Sequence, residues 1–447
     1  MASAAEQLAS SMSLGSFSKA TELKARIWFT LGALLVYRVG TYIPVPGVDA
    51  SVMGEMLAQH STGILGMFDM FSGGALGRMT VFALNIMPYI SASIIVQLMA
   101  GAVPSLETLK KEGEAGRKKL NQYTRYLTVL IALIQSYGIA VGLEGMRGSF
   151  GAAVIDPGLF FRVSCVVTLV GGTMFLMWIG EQITARGVGN GTSLIIFAGI
   201  VANLPSALVN LLELGRTGAL SPVFILLFVV IAVAVVAFVV FMERAQRRVT
   251  VQYPKRQVGQ RMFGGDSTHM PLKVNTAGVI PPIFASSILL IPATIAGFAQ
   301  NSPDSWLAWF AQKFAHGEPL YMTAYAGMIL FFSYFYTAIV FNTEETAENL
   351  KKYGGFIPGV RPGSNTAQYF DTILTRLTTV GAVYLAIVCL LPEILIARYG
   401  VPFYFGGTSL MIIVSVTMDT VTQVQSHLLA HQYEGLIRKG RVKGRPR

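Results

Sequence analysis

The residues that could do acid–base, nucleophilic or metal chemistry are few in this sequence and lie far apart along it. Its five histidines all stand outside the long apolar runs: His60, His269, His316, His427 and His431. The sequence has no HExxH, GxSxG or Walker motif, the spacings that place a metal, a nucleophile or a phosphate beside a catalytic group. Cys165 and Cys389 fall inside apolar runs with no Cys or His close by, which argues against a disulfide or a metal site. We therefore expect no catalytic residues, no metal and no cofactor.

The motif GVGNG, from Gly187 to Gly191, has the glycine content of a phosphate-binding loop. Such a loop follows a β-strand and ends in a Lys-Ser or Lys-Thr pair, and neither feature is present here. The motif therefore predicts a tight turn, on the cytoplasmic side.

The composition indicates an integral membrane protein. Of the 447 residues, 53% are hydrophobic and 13% are charged, whereas charged residues make up about 25% of a soluble domain. Residues 1–26 are polar and contain no apolar h-region, so we expect no cleaved signal peptide and a first span that stays as an anchor.

Ten apolar runs approach or exceed the length of about 20 residues that a helix needs to cross the hydrocarbon core. They lie at 27–43, 79–102, 123–143, 159–180, 192–212, 222–242, 276–298, 321–341, 377–396 and 401–424. The fold class predicted is an all-α integral membrane protein with ten transmembrane helices. A turn at 213–221 separates five spans (27–212) from five more (222–424). Because each half has an odd number of spans, the two halves would have opposite orientations in the membrane, as in an inverted repeat. The halves share no convincing sequence similarity, so this symmetry rests on counting alone.

The positive charges give the orientation. About 27 of the 34 Lys and Arg residues fall in segments that are cytoplasmic if the N-terminus is, and about 7 fall on the other side. Both termini, including the basic tail at 425–447, are therefore predicted to be cytoplasmic.

A short apolar piece lies within residues 61–78, between two glycine clusters and ahead of the second span. Its apolar residues are Ile64, Leu65, Met67, Phe68, Met70 and Phe71. The piece is too short to cross a bilayer. An amphipathic helix at the interface or a packed outer loop would explain it, and so would a re-entrant element that fills a cavity.

Ionisable residues are almost absent from the middles of the ten runs; Glu393 and Asp419 lie toward span ends. A transporter coupled to protons or ions needs such groups near the midplane, and an intramembrane enzyme would need a catalytic pair there. The composition therefore favours a channel, which lets a substrate pass without chemistry and which apolar residues close when it is idle. Ile86 and Ile90 lie one turn apart, as do Thr192 and Ile196, although pairs of this kind more often belong to a core or a lipid-facing surface.

Two basic loops, 243–275 and 342–376, are longer than a simple connection requires. Their positive charge would retain topology and attract anionic lipid. It would equally suit docking of RNA or of an acidic protein face. Charge alone leaves both interpretations open.

Several long stretches resemble the SecY family, the channel subunits of the bacterial Sec protein translocase. They include GMFDMFSGGALGRMTVFALNIMPYISASIIVQL, GEQITARGVGNGTSLIIFAGIVANLP, STHMPLKVNTAGVIPPIFASSI and GGFIPGVRPG, and the similarity extends across essentially the whole chain. The resemblance implies a channel in the bacterial cytoplasmic (inner) membrane. It would move unfolded secretory polypeptides across the membrane and release transmembrane segments sideways into lipid.

The resemblance also implies specific channel parts. The short piece at 61–78 would be the plug that seals the outer funnel, and a lateral gate would lie between the second and third spans on one side and the seventh and eighth on the other. The pore ring would fall on Ile86, Ile90, Thr192, Ile196, Ile283 and Thr417. The usual ring residue is isoleucine, so Thr192 and Thr417 depart from the pattern. A threonine hydroxyl can bond its own helix backbone, yet it should make drying of the constriction less complete.

Partners are implied in the same way. They are the SecE and SecG subunits, the SecA ATPase, the ribosome, signal sequences and nascent polypeptides, and membrane lipids. The two basic loops would dock SecA and the ribosome, with contacts at Lys255, Arg256, Arg261 and Arg361. Those partners would supply the energy, and the chain itself would hydrolyse nothing.

Overall fold

A computed structural model describes most of the chain, in segments separated by gaps. The described residues are 21–49, 52, 69, 72–145, 147–148, 151–217, 221–254, 256–258, 261–263, 267–298, 318–399 and 407–443. The chain forms two compact units. The first contains residues 1–96, 112–206 and 412–447, and the second contains residues 97–111 and 207–411. The predicted domain boundaries, which place the division at 213–221, stay a prediction.

Helices make up most of the described residues. In chain order they are α1 (Thr21–Gly40), α2 (Met87–Ala102), α3 (Pro104–Lys111), α4 (Glu114–Gly145), α5 (Leu159–Arg186), α6 (Gly191–Ala202), α7 (Leu204–Arg216), α8 (Pro222–Arg244), α9 (Ile280–Phe298), α10 (Pro319–Val340), α11 (Thr343–Lys352), α12 (Ser364–Tyr399) and α13 (Gly407–Lys443). Every predicted span overlaps at least one of them. Within the described residues, seven helical stretches are long and apolar enough to cross a membrane, and shorter apolar helices cover 87–101 and 280–289. The prediction of a multi-pass helical membrane protein is confirmed.

Two spans differ in detail from the prediction. The second helix begins at Met87 instead of residue 79, because Met79 (φ 45°) and Asn85 (φ 49°) adopt left-handed backbone angles that a right-handed α-helix cannot accommodate. The fifth span is divided into α6 and α7 at Asn203. Pro205, at the second position of α7, has no N–H to continue the hydrogen-bond ladder of α6.

Short strands occur in two connections. In the basic loop after α8, β3 (Gln246–Gln252) pairs antiparallel with β6 (Ser267–Lys273), and between them β4 (Arg256–Val258) pairs with β5 (Arg261–Phe263). Between α4 and α5, β1 (Arg147–Gly148) pairs with β2 (Gly151–Ala152). These strands were not predicted from the sequence.

In the first unit, α4 and α5 form an antiparallel pair that is closed by an ion pair at each end. At one end Arg125 donates two hydrogen bonds to Glu181, at 3.0 and 2.7 Å. At the other end Arg162 donates to Glu144 at 2.6 Å, and the N–H of Gly158 also donates to that carboxylate. The apolar core between the two ends includes Cys165, which is fully buried. This helix pair provides the support on which α6 and its preceding turn are built.

Candidate channel and docking sites

The predicted ring positions occur on four helices or directly beside them. Five lie in the first unit: Ile86, Ile90, Thr192, Ile196 and Thr417. Ile283, on α9, lies in the second unit. The three isoleucines of the first unit are at most 9% exposed, whereas Thr192 and Ile283 are half-buried and Thr417 is exposed. Their assignment to one ring stays a prediction.

The two threonines at ring positions place their hydroxyls differently. Thr417 donates to the carbonyl of Ile413, one turn earlier in α13, at 2.6 Å. Thr192 donates instead to Oδ1 of Asn190 at 2.7 Å, and its backbone N–H donates to the same oxygen. The difference follows from position, since Thr192 is the second residue of α6 and has no preceding helical turn to accept its hydroxyl. In both cases the hydroxyl donates a hydrogen bond to another group of the protein.

The predicted plug residues, Ile64, Leu65, Met67, Phe68, Met70 and Phe71, lie outside the described residues. The segment that follows them is held against α1. Tyr37 donates its hydroxyl to the carbonyl of Ser72 at 3.2 Å, and Arg38 donates to the carbonyl of Gly73 at 2.9 Å. Arg78 also donates to Gly73, at 3.2 Å. Residues 72–78 are therefore fastened to the end of the first span.

Glycine is required at Gly73 because of both its backbone and its surroundings. Its φ of 68° lies in the left-handed region, which glycine adopts without steric penalty. A Cβ atom there would lie 3.0 Å from Cα of Gly199 in α6 and 3.0 Å from Nη1 of Arg38. The C-terminal part of the predicted plug segment thus packs closely against two helices.

Asp69 accepts hydrogen bonds from later residues of the same segment. Its Oδ1 accepts a hydrogen bond from the backbone N–H of Gly77 at 2.6 Å, and its carbonyl accepts from Gly74 at 2.8 Å. Burial raises the pKa of the Asp69 carboxyl above its ordinary value, against the opposing effects of the Gly77 hydrogen bond and the positive charge of Arg78. The buried carboxyl therefore organises a turn of fixed shape.

The two basic loops form one folded surface in the second unit, which we name the hairpin platform: β3, β6, α11, residues 353–363 and the first turns of α12. Gln252 and Phe356 exchange two backbone hydrogen bonds, each 2.9 Å long. Beneath this contact lies a shared apolar cluster: Val249, Leu272, Ile357, Phe370 and Ile373. Because both loops contribute to the cluster, charges from the two loops are carried by one folded unit.

The structure locates some of the predicted docking residues and adds others. Arg361 is exposed on the platform, and its carbonyl accepts a hydrogen bond from the hydroxyl of Thr366 at 2.9 Å. Arg256 and Arg261 begin β4 and β5, and Lys255 lies outside the described residues. Arg247 and Arg248, which were not predicted as docking residues, are exposed on β3. The alternation of Val249 and Val251 with polar residues was the available signal for this strand.

Comparison with known proteins gives the relationship directly. The family model described as SecY matches residues 80–421. The Protein translocase subunit SecY of Rickettsia conorii is 55% identical over 429 residues, which cover 96% of this chain and 99% of the relative. The Protein translocase subunit SecY of Escherichia coli (strain K12) is 55% identical over 424 residues, covering 95% of this chain and 96% of the relative.

Solved structures share the fold at much lower sequence identity. A protein-conducting channel aligns with a TM-score of 0.65 at 16% identity, covering 91% of this chain and 92% of that chain. A SecY channel whose plug domain stabilises the closed state aligns with a TM-score of 0.64, with the same identity and coverage. The Sec61 channel in a canine ribosome-channel complex aligns with a TM-score of 0.61, again at 16% identity and the same coverage. By its sequence relatives, its family match and its fold, the chain belongs to the SecY family.

Proposed function

We propose that this chain is a protein-conducting channel that translocates unfolded secretory polypeptides across the bacterial inner membrane and releases transmembrane segments sideways into lipid. One observation carries the proposal: 55% identity to SecY translocase subunits along 96% of the chain. Because the identity extends over nearly the full length, we expect this chain to have the fold of those subunits and the same path for the translocated polypeptide.

The seal around the moving chain is apolar. Ile86, Ile90, Ile196 and Ile283 line the constriction together with the methyl groups of Thr192 and Thr417. A narrow apolar ring disfavours water and therefore resists ion leakage. The hydroxyl bonds of the two threonines, to Asn190 and to the carbonyl of Ile413, support this arrangement because they satisfy the polar atoms within the protein.

The plug, residues 61–78, blocks the outer funnel when the channel is idle. The hydrogen bonds of Ser72 and Gly73 to Tyr37 and Arg38 support this proposal, because they anchor the C-terminal end of the segment to α1. An anchor at one end allows the preceding residues to leave the path without detaching from the channel.

The hairpin platform is the docking surface for the motors. Both termini lie in the cytoplasm, on the same side as the platform. Its exposed arginines suit an acidic protein face or the phosphate of RNA, and the fold is shared with a Sec61 channel in a ribosome-channel complex. The SecE and SecG subunits, membrane lipids and signal sequences complete the set of partners. The chain hydrolyses nothing itself, and its partners supply the energy.

Reconstitution tests the function. Proteoliposomes that contain this chain with its SecE and SecG partners should protect a radiolabelled secretory precursor from external protease when SecA and ATP are added. Liposomes without this chain are the control. Equal protection in both preparations would contradict the proposed function.

A further inference from the structure

The turn between α5 and α6, Gly187 to Gly191, is held by side chains from three different helices. The N–H of Val188 donates to Oγ1 of Thr30 in α1 at 3.0 Å. The N–H of Gly189 donates to Oε1 of Gln423 in α13 at 2.8 Å. The N–H of Gly191 donates to Oγ1 of Thr184 in α5 at 2.9 Å. These three N–H groups are therefore already paired within the protein, as expected for a structural turn.

The turn is also closely packed against the neighbouring helices. A Cβ atom on Gly187 would overlap Oγ1 of Thr30, and a Cβ atom on Gly191 would overlap the carbonyl oxygen of Gly180 in α5. Gly189 has a φ of 91°, a left-handed conformation that favours glycine. The position of the turn is therefore fixed by direct contact as well as by hydrogen bonds.

An apolar cluster supports the same position. Leu23 of α1, Val188 of the turn and Leu428 of α13 are all buried together, and Ile27 and Val424 pack against them. The turn is thus the point at which α1 and α13 are joined to the start of α6.

The turn leads directly into residues proposed for the channel ring. Gly191 is the first residue of α6, so Thr192 lies in its first turn and Ile196 one turn further along. In α13, Thr417 precedes Gln423 by six residues, which corresponds to about 9 Å along the helix axis. The hydrogen bond that Gln423 accepts from Gly189 therefore links the register of α13 to that of α6.

We infer that Thr30 and Gln423 are positioning residues of the channel seal, which hold the ring positions of α6 at a fixed height relative to Thr417. This inference rests on the proposed function. The argument is stronger for Thr30 than for Gln423, because Thr30 is only 8% exposed and its hydroxyl also donates to the carbonyl of Arg26 at 3.0 Å. Its oxygen thus connects the backbone of α1 to the backbone of the turn.

Matched substitutions separate the hydrogen bonds from the packing. Thr30→Val preserves the shape and removes the acceptor, leaving the buried N–H of Val188 without its partner; Thr30→Ser preserves the acceptor. Gln423→Met and Gln423→Glu form the corresponding pair at an exposed site, where failure to fold is not expected. Loss of one net hydrogen bond changes an equilibrium by about fivefold, so we expect about a fivefold rise in the fraction of time the idle channel conducts ions.

The readouts are ion conductance of the purified complex in planar bilayers and export of a precursor with a defective signal sequence. We expect Thr30→Val and Gln423→Met to raise both, while Thr30→Ser and Gln423→Glu behave like the unmodified chain. Unchanged conductance and selectivity in Gln423→Met and Thr30→Val channels that still transport would overturn this inference alone. An unmodified chain that transports no precursor would overturn the proposed function and the inference with it.

Discussion

Gln252 and Phe356 exchange two backbone hydrogen bonds, each 2.9 Å long, although more than 100 residues of sequence separate them. This contact joins the two basic loops, so that β3 and the segment carrying Arg361 belong to one rigid surface. A partner that docks there meets both loops at once. Substitutions on either loop should therefore affect the same binding event.

Charge reversal at Arg361 tests the platform as a docking site. Arg361→Glu should reduce SecA-driven transport roughly tenfold at low salt, and less at high salt, because screening shortens the reach of exposed charges. Arg216→Glu is the matched control, since Arg216 is also exposed but lies at the end of α7, outside the platform. Membrane insertion of both variants should be normal. Equal transport by the two variants would remove Arg361 from the docking site.

Removal of the plug should make the idle channel leak. Deletion of residues 64–71 is expected to raise ion conductance or to permit export of precursors with defective signal sequences, since the described anchor at 72–78 cannot seal the path by itself. A glycine-serine replacement of the same length serves as control for chain length and should leak as well. Conductance and selectivity like those of the unmodified chain would argue against a plug at this position.

The two ring threonines should leave the seal wetter than an all-isoleucine ring. Thr192→Ile and Thr417→Ile are expected to lower the residual ion conductance of the idle channel, because each adds apolar surface to a constriction that closes by drying. Thr422→Ile is the control, since Thr422 is also exposed on α13 and also bonds its own helix, at Met418. A drop of equal size in the control would mean that Thr417 does not line the path.

Asp69 should contribute through its hydrogen bond more than through its charge. Because burial raises its folded pKa above the ordinary value of 3.8, its ionised form is disfavoured in the folded state. Its contribution to stability is therefore greatest below that ordinary value and is lost as the pH rises through the raised pKa. Asp69→Asn keeps the acceptor for Gly77, so thermal unfolding in detergent should depend less on pH than in the unmodified chain as the pH rises above about 4.

Asp69→Ala removes the acceptor as well. The buried N–H of Gly77 would then lack its partner, which costs about 1–3 kcal/mol, so this variant should unfold at lower temperature than Asp69→Asn at every pH. Equal unfolding temperatures for the two variants would show that the hydrogen bond does not hold the turn.

Length and hydropathy were sufficient to locate the membrane helices. Every apolar run predicted as a span overlaps a helix, because about 20 apolar residues in a row leave few other structures open to the backbone. The start of α2 could not be found in this way. Its delay to Met87 depends on tertiary contacts such as the stacking of Phe82 on Tyr37, with ring centroids 6.1 Å apart, and on the left-handed angle of Asn85.

The functional positions were harder to derive from residue types. Ile86 and Ile196 have the chemistry of any core isoleucine, so spacing alone cannot distinguish a pore from packing; their assignment came from family resemblance. The role of Thr30 was not visible either, because its partner Val188 is 158 positions away in sequence. Only the fold brings such a pair together.

Crosslinking to a stalled substrate tests the channel account most directly. With Cys165 and Cys389 replaced, a cysteine at Ile86 or Ile283 should crosslink to a translocation-arrested secretory chain in membrane vesicles. A cysteine at Leu35, which is 67% exposed on α1, should not. Crosslinks at Ile86 and Ile283 that require the stalled chain are the result predicted here. Their absence while transport continues would place the path elsewhere and contradict the account.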